Sequence, residues 1–382
     1  MLFTSASRTV GVSRRGLALV HFDWWLLAAC LALAIFGVAM IFSATRGVAD
    51  PVIQNRWTAQ IVFLVIGIVA FFMGALLDYR LLRLAGWPGY CFLLGVLVLV
   101  ELFGTEQNFA VRWLRVGTTV VQPTEAGKFV LIVVVAWYLS RYYSEDKRLS
   151  ILLLALVALC PPLLLIYWQP DLGMVVTMLF IIGAMILISG VTASHFLFLS
   201  GLALAVLFLA YGILQDYMLD RIDMFLNPTA THNLDAVFNV DQALISVGNG
   251  GWFGRGWLEG TQSQLFYLRV RHTDFIFSVV AEEFGFVGSC ALLLVFGFLL
   301  WRLVRTMELA EDAFGRLLVG GVAALILFQI FVNVGMNIRL MPVTGMTLPL
   351  VSSGGSSLVS TLFAIGLTQS VNLRRSVRVD TF

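Results

Sequence analysis

The sequence predicts an all-α integral membrane protein with about ten transmembrane helices. Of its 382 residues, 60% are hydrophobic and only 12% are charged, whereas about a quarter of the residues in an average soluble domain are charged. The apolar residues also form long uncharged runs, and about 20 such residues cross the hydrocarbon core of a bilayer. Lys and Arg gather in alternate connections between these runs, as the positive-inside rule expects.

The first half of the chain contains five apolar runs. The uncharged runs of spanning length are 24–45, 57–77, 84–100 and 149–170. The remaining run, 129–140, is short. It reaches spanning length if its helix starts near Pro123 and includes Glu125 and Lys128. This fourth helix is therefore predicted to carry two charges inside the membrane.

The second half contains the remaining five spans. Run 172–215 is too long for one helix and breaks at 189–192, which reads Ser-Gly-Val-Thr. Two further runs are 284–301 and 317–338. The last run, 340–373, opens with prolines and a glycine, so its helix is predicted to start near Gly355.

Lys/Arg placement favours both termini in the cytoplasm. With this orientation the short outer loops hold few basic residues, namely Arg46, Arg56, Arg112, Arg115 and Arg339. The single long connection, 216–272 between helices 7 and 8, then lies outside the cell. Its amphipathic stretches predict interfacial helices, so 1–382 is predicted to be one polytopic domain. Nothing in the composition indicates a nucleic-acid partner.

Ionisable residues inside membrane spans are costly and are functional candidates by default. In Gln122-Pro-Thr-Glu-Ala-Gly-Lys128, Pro123 suits a first helical turn. Glu125 and Lys128 lie three apart, so they share a helix face and can pair. The pair is either a structural ion pair between helices or part of a polar site that opens to the outer face.

Asp274 lies in His272-Thr-Asp-Phe-Ile-Phe277, which ends the long outer segment. It is either a favourable charge at a helix N-terminus or a general base at the outer mouth. Glu282 and Glu283 lie two turns deeper, and a structural role is favoured for both. Asp171, in Gln-Pro-Asp-Leu-Gly, is favoured as a helix N-terminal residue.

Two glycine-rich stretches are candidate binding loops. Residues 248–256 lack the Gly-Lys-Ser/Thr ending of a phosphate loop, so a tight packing loop is favoured over a nucleotide site. Residues 351–357, Val-Ser-Ser-Gly-Gly-Ser-Ser, precede the last helix. Their amides and hydroxyls either cap that helix or bind an anion.

Together these motifs resemble the SEDS family (shape, elongation, division and sporulation proteins) over nearly the whole chain. The segments that carry the resemblance are 122–128, 169–173, 221–228, 242–248, 272–277 with 281–283, 341–345 and 353–357. His-Thr-Asp-Phe-Ile-Phe followed by Ala-Glu-Glu is more similar to the RodA branch than to the FtsW branch. The chain departs from that branch at Leu268-Arg-Val-Arg271, where Leu-Pro-Glu is usual, at Arg339 for glycine, and at Ser353 for tyrosine.

The resemblance implies a peptidoglycan glycosyltransferase that polymerises lipid II at the outer face of the bacterial cytoplasmic membrane during cell elongation. An α-linked donor and a β-1,4 product mean one inversion, which needs one base and no enzyme nucleophile. Asp274 is the predicted base, and Glu125 is predicted either to orient Lys128 or to help hold a divalent cation. The leaving pyrophosphate needs positive charge from Lys128, Arg112, Arg221 or a divalent cation such as Mg²⁺ or Mn²⁺. The predicted substrate-binding residues are Arg112, Gln122, Arg221, His272, Thr273 and Ser356.

The resemblance also implies partners: lipid II and undecaprenyl lipids, a class B penicillin-binding protein that crosslinks the strands, and the elongation machinery. The main alternative function is a lipid II flippase, which needs polar groups reachable from both faces, whereas the candidates here lie at the outer ends of helices. A non-catalytic scaffold would leave the buried charges unexplained. If the enzyme interpretation holds, Asp274, Glu125 and Lys128 should converge on one outward-open cavity.

Overall fold

The computed structural model describes residues 21–107, 110–116, 119–143, 147–169, 171–210, 216–226 and 234–375. Fourteen α-helices make up most of these ranges. They are α1 (Trp24–Thr45), α2 (Pro51–Gln54), α3 (Arg56–Leu76), α4 (Gly86–Phe103), α5 (Pro123–Tyr138), α6 (Leu149–Trp168), α7 (Leu172–Ile188), α8 (Ala193–Ala210), α9 (Asp216–Leu226), α10 (Leu234–Asn249), α11 (Thr261–Gln264), α12 (Ile276–Glu308), α13 (Ala313–Asn337) and α14 (Gly355–Leu373). A 3₁₀ segment, Tyr79–Ala85, leads into α4, and a π-helical turn, Leu139–Tyr143, follows α5.

The chain is a multi-pass membrane protein. Within the described ranges, seven segments are long and apolar enough to cross a bilayer: Trp24–Thr45, Arg56–Leu76, Tyr79–Phe103, Pro123–Tyr143, Leu149–Trp168, Ile276–Glu308 and Ala313–Asn337. Two shorter apolar helices, Leu172–Ile188 and Ala193–Ala203, cover the run predicted to break in two. Each of the ten predicted spans thus contains a helix, and α5 and α14 start where the sequence predicted. The count of ten crossings itself stays a prediction.

The connection between α4 and α5 is a small antiparallel sheet that the all-α prediction missed. Its strands are β1 (Thr105–Gln107), β2 (Ala110–Val116) and β3 (Thr119–Val121), in the order β1-β2-β3. Residues of β2 and β3 pair in register, with Arg115 opposite Val120. The cause is local, because β-branched and aromatic residues of high strand propensity dominate this stretch.

The long outer segment contains α9, α10 and α11, so the predicted helices of this segment are present. Their position relative to a membrane surface stays a prediction. The two glutamates at positions 282 and 283 form hydrogen bonds with neighbouring helices. Glu282 accepts hydrogen bonds from the Gln262 amide (2.8 Å) and the Thr261 hydroxyl (3.1 Å), both in the first turn of α11. Glu283 accepts a hydrogen bond from the Ser43 hydroxyl of α1.

The core lies around α13, most of whose residues are buried. Helices α3 and α14 pack closely along one side, because glycines let their backbones approach: a Cβ at Gly366 would lie 2.1 Å from the Phe71 carbonyl oxygen. Helix α13 ends at Asn337, and the segment 338–354, which we call the α13–α14 loop, returns the chain to α14. This loop positions the candidate active site.

Candidate active site

Asp274 lies directly before α12, in a segment whose backbone is fixed by two buried asparagines of α13. The Asp274 carbonyl oxygen accepts hydrogen bonds from Asn333 Nδ2 (3.0 Å) and Asn337 Nδ2 (3.1 Å). The N-cap position of α12 belongs to Phe275, so Asp274 is not the capping residue. Its carboxylate instead faces the α13–α14 loop, where Oδ2 lies 3.7 Å from the place a Cβ would occupy at Gly345.

The surroundings of Asp274 favour a base that works near neutral pH. The residue is half-buried, and burial raises the pKa of its carboxyl to about 6, although a hydrogen bond from Thr273 and the charge of Arg221 act in the opposite direction. Burial, together with the charges of Arg56 and Arg271, lowers the pKa of His272 to about 4. At pH 7 Asp274 is therefore largely ionised beside a neutral His272.

The α13–α14 loop holds the rest of this motif through backbone contacts. The His272 carbonyl accepts a hydrogen bond from the Ser353 amide (2.9 Å), and the Thr273 carbonyl accepts one from Ser352 Oγ (2.7 Å). Arg221 of α9 reaches the same loop, since its Nη1 donates to the Val343 carbonyl (3.1 Å). Three of the predicted site residues thus lie against one loop, next to Asp274.

Gln122 is connected to the same loop indirectly, through Asp171 and the N-terminus of α7. Its Nε2 donates to Asp171 Oδ2 at 3.4 Å, and Asp171 Oδ1 accepts from the Met174 amide as the N-cap of α7. That N-terminus abuts the loop, because a Cβ at Gly173 would lie 2.9 Å from the Thr344 carbonyl oxygen. The N-terminal role predicted for Asp171 is confirmed, and it also ties the Gln122 segment to the loop.

Glu125 and Lys128 form the predicted pair in the first turns of α5, with Nζ 2.9 Å from Oε1. Only 4% of the Lys128 side chain and 12% of the Glu125 side chain are exposed. On the same helix face, the buried Thr124 hydroxyl has no hydrogen-bond partner among the described residues. These contacts link Glu125 with Lys128, and other contacts link Gln122 with the loop, so the convergence of the pair with Asp274 on one cavity stays a prediction.

The two remaining predicted site residues are Ser356 and Arg112. Ser356 lies partly buried in the first turn of α14. Arg112 belongs to β2, but its side chain lies outside the described part of the structure. No group of three or more His, Cys, Asp and Glu residues placed to hold a metal ion occurs among the described residues. A metal-binding role for this site stays a prediction.

Sequence reasoning missed the asparagines that hold the Asp274 backbone. Gln329, Asn333 and Asn337 recur every fourth residue on one face of the apolar α13, and all three are buried. Such a polar row inside a span is the signal that could have identified them. Asn333 also donates to the Met346 carbonyl at 2.7 Å, so it joins the Asp274 segment to the α13–α14 loop.

Replacing Asn337 with alanine is expected to destabilise the protein. Its Oδ1 accepts from the Ser278 amide (3.0 Å) and hydroxyl (2.6 Å), and its Nδ2 donates to Asp274. Buried groups left unpaired cost about 1–3 kcal/mol each, so thermal unfolding in detergent should begin at a clearly lower temperature. Ser278→Ala is the matched control, since it removes one of these bonds. Equal melting of wild type and Asn337→Ala would contradict the assigned role.

Comparison with known proteins places the chain in a family. The family model described as "Cell cycle protein", FTSW_RODA_SPOVE, matches residues 24–377. The chain is 34% identical over 372 residues to the peptidoglycan glycosyltransferase MrdB of Escherichia coli K12, which covers 94% of this chain and 95% of that protein. It is 35% identical over 360 residues to the stage V sporulation protein E of Bacillus subtilis 168, over 92% of this chain and 96% of that protein.

Several solved structures resemble the fold, including the two that follow. One belongs to a peptidoglycan synthase complex that coordinates polymerization and crosslinking, with a TM-score of 0.76, 31% identity and coverage of 92% of this chain and 97% of that chain. The other is the crystal structure of the rod shape determining protein RodA of Thermus thermophilus, with a TM-score of 0.65, 31% identity and coverage of 93% and 97%. The chain therefore belongs to the FtsW/RodA/SpoVE family of cell cycle proteins, the SEDS family that its motifs resemble.

Proposed function

We propose that this chain is a peptidoglycan glycosyltransferase that polymerises lipid II at the outer face of the bacterial cytoplasmic membrane during elongation. The names of its relatives support the reaction class. The observation that carries the proposal is the setting of Asp274, a half-buried carboxylate beside the α13–α14 loop with a raised pKa. The RodA-like structural neighbour and the motif at 272–277 support elongation over division.

Asp274 is the general base of the proposed reaction. The 4-hydroxyl oxygen of the acceptor sugar attacks the anomeric carbon of the donor and forms the β-1,4 bond. The α bond to the pyrophosphate breaks, and undecaprenyl pyrophosphate leaves with the electron pair. The hydroxyl proton passes to the Asp274 carboxylate, and a base with a pKa close to the working pH is best suited to this transfer.

Positive charge serves the leaving group, which is already a stable anion. Lys128 is the proposed donor of that charge, and Glu125, 2.9 Å away, holds its ammonium in place. Arg221, beside Asp274, and Arg112 are the further cationic candidates. Mg²⁺ or Mn²⁺ would supply the same stabilisation when bound, and loss of polymerisation in EDTA with recovery on adding Mg²⁺ would show such a requirement.

The polar groups around Asp274 are proposed to position the sugars. His272 is neutral at pH 7 and can donate or accept a hydrogen bond, and Thr273, Gln122 and Ser356 offer uncharged polar groups. The apolar helix faces would hold the polyprenyl tails of lipid II and of the undecaprenyl product. Both termini are proposed to lie in the cytoplasm. The synthase complex that resembles this fold supports a class B penicillin-binding protein as partner, alongside the elongation machinery.

Two assays with purified lipid II distinguish the proposed polymerase from the alternative function, a lipid II flippase. The detergent-solubilised chain, with its penicillin-binding partner present, is expected to convert lipid II into glycan strands that gel electrophoresis resolves. The same preparation in liposomes reports whether labelled lipid II crosses the bilayer. A chain that makes no polymer but moves lipid II across the membrane would establish the flippase instead.

The raised pKa of Asp274 gives the reaction an acid limb. The base must be ionised in the free enzyme, so kcat/KM is expected to fall as the pH drops through about 6. The fall should approach about tenfold per pH unit below that value. Polymerisation rates measured from about pH 5 to about pH 8 test this, with thermal unfolding at each pH as the control for stability. A profile that stays flat down to the acid end would contradict the assignment of the base.

A further inference from the structure

We propose that the glycine-rich loop 250–257 is a membrane anchor that inserts into the bilayer interface and clamps α12 at a break in that helix. The loop presents two large aromatic side chains outward, and Trp252 is 70% and Phe253 is 83% exposed. Exposed apolar side chains of this size, side by side, indicate a surface that contacts something apolar. The occupant we assign is the lipid interface on the side of the membrane where Asp274 lies.

Four backbone hydrogen bonds join the loop to α12. The helix breaks at Gly285, whose φ is 67°, and the break frees amides and carbonyls on both sides of it. The Glu282 and Glu283 carbonyls accept from the amides of Arg255 (2.9 Å) and Gly256 (3.0 Å). The Phe286 and Val287 amides donate to the carbonyls of Gly251 (2.9 Å) and Trp252 (3.1 Å). The loop thus supplies the partners that a continuous helix would have supplied to itself.

Glycine is required where the loop meets the helix. A Cβ at Gly250 would lie 1.8 Å from the Ala281 carbonyl oxygen, and one at Gly254 would lie 2.1 Å from the Glu283 carbonyl oxygen. No side chain fits at such distances, so the backbone of the loop lies directly on the backbone of α12. This contact explains the glycine content of a stretch that lacks the features of a phosphate loop.

The break lies at the depth of a membrane interface. Arg302 of α12 pairs with Asp23, at 2.7 Å, and marks one edge of the apolar span. Gly285 is 17 residues away along the helix, which at about 1.5 Å per residue is about 26 Å. The hydrocarbon core is about 30 Å thick, so Gly285 and the loop bound to it lie close to the opposite edge. Trp and other aromatic residues concentrate at this level in membrane proteins.

The exposed face of the loop is continuous with the lipid-facing side of α12. Phe286 and Val287, just past the break, are 58% and 49% exposed on a membrane-spanning helix. The Trp252 ring packs edge-on against the Phe286 ring, with centroids 5.3 Å apart. An aromatic surface that starts on the lipid-facing helix and ends on the loop is what insertion into the lipid interface requires.

The anchor affects the candidate active site because it binds α12 close to Asp274. It holds residues 282–287, and the short helical segment between this point and Asp274 is buried throughout positions 276–283. The bilayer therefore fixes the depth of the segment that carries Asp274.

Spin-label accessibility tests the depth of the loop in the full-length chain. Cys30, Cys91, Cys160 and Cys290 are first replaced by alanine. Three single-cysteine variants are then labelled with a nitroxide and placed in phospholipid nanodiscs: Phe253→Cys, Phe286→Cys as the lipid-facing reference, and Glu259→Cys as the exposed polar reference. Collisions with oxygen report lipid, and collisions with a water-soluble nickel chelate report water. The oxygen-to-nickel collision ratio at position 253 is expected to be several-fold above that at 259 and close to that at 286.

Two results would overturn the anchor. A ratio at position 253 equal to that at 259 would place the loop in water, and low collision rates with both reagents would mean that protein covers it. If the cysteine-free chain does not fold, the unaltered chain in nanodiscs containing a photoreactive phospholipid gives the same information. Lipid adducts on Trp252 or Phe253 are expected by mass spectrometry, and adducts on the Phe286 peptide without any on the loop would refute the proposal.

Discussion

Asp274→Asn is expected to lower the rate of lipid II polymerisation by about 100- to 10,000-fold, the range over which a positioned general base contributes. Asparagine keeps the shape of the side chain and its capacity to accept a hydrogen bond, but it cannot take the proton of the acceptor hydroxyl. The backbone bonds from Asn333 and Asn337 to position 274 do not involve the carboxylate. The variant should therefore fold, and the loss should reside in the chemical step.

The matched control is Asp223→Asn, which neutralises an exposed carboxylate on α9. It should leave polymerisation unchanged, so that a loss at position 274 cannot be ascribed to the lost charge alone. Both variants are compared with wild type by gel analysis of polymer from purified lipid II and by thermal unfolding. Full activity in Asp274→Asn would remove Asp274 as the base, while leaving the family membership intact.

The membrane helices could be predicted from the sequence because hydrophobic length is a local property. Pro123 and Gly355 start α5 and α14 as predicted, since proline and glycine act on the backbone where they stand. The break at Gly285 could not be located in advance. A glycine inside an apolar run is compatible with a continuous helix, and the break depends on the loop 250–257, more than 25 residues earlier in the chain, supplying the missing hydrogen-bond partners.

The candidate site also contains residues that the sequence predicts and contacts that only the structure shows. Charges inside apolar runs revealed Glu125 and Lys128, and their spacing of three revealed the pair. The hydrogen bonds around Asp274 join distant parts of the chain. The Ser353 amide donates to the His272 carbonyl, and Asn333 donates to the Asp274 carbonyl. Arg221 donates to the Val343 carbonyl. Such pairings are set by how the helices pack and not by any local pattern, so the α13–α14 loop as the organising element emerges only from the structure.

Substitutions in the Glu125–Lys128 pair test whether these two charged residues of α5 have a structural or a functional role. Lys128→Met removes one partner and leaves the largely buried Glu125 carboxylate without its partner. Breaking a buried ion pair in this way costs about 3–5 kcal/mol, so this variant is expected to unfold at a markedly lower temperature. Glu125→Gln should also destabilise the protein, because it leaves the buried ammonium unpaired.

The double variant Glu125→Gln with Lys128→Met separates the two roles. Neutral residues of similar size in both places remove the unpaired charge, and such replacements are often neutral or stabilising. The melting temperature should therefore recover towards that of wild type. Polymerisation should not recover, because no ammonium remains to stabilise the leaving pyrophosphate, and removal of one such group costs about 100- to 1000-fold.

If the double variant regains both stability and activity, the pair serves only to hold the helix. The charge on the leaving pyrophosphate must then be stabilised by Arg221, Arg112 or a bound cation.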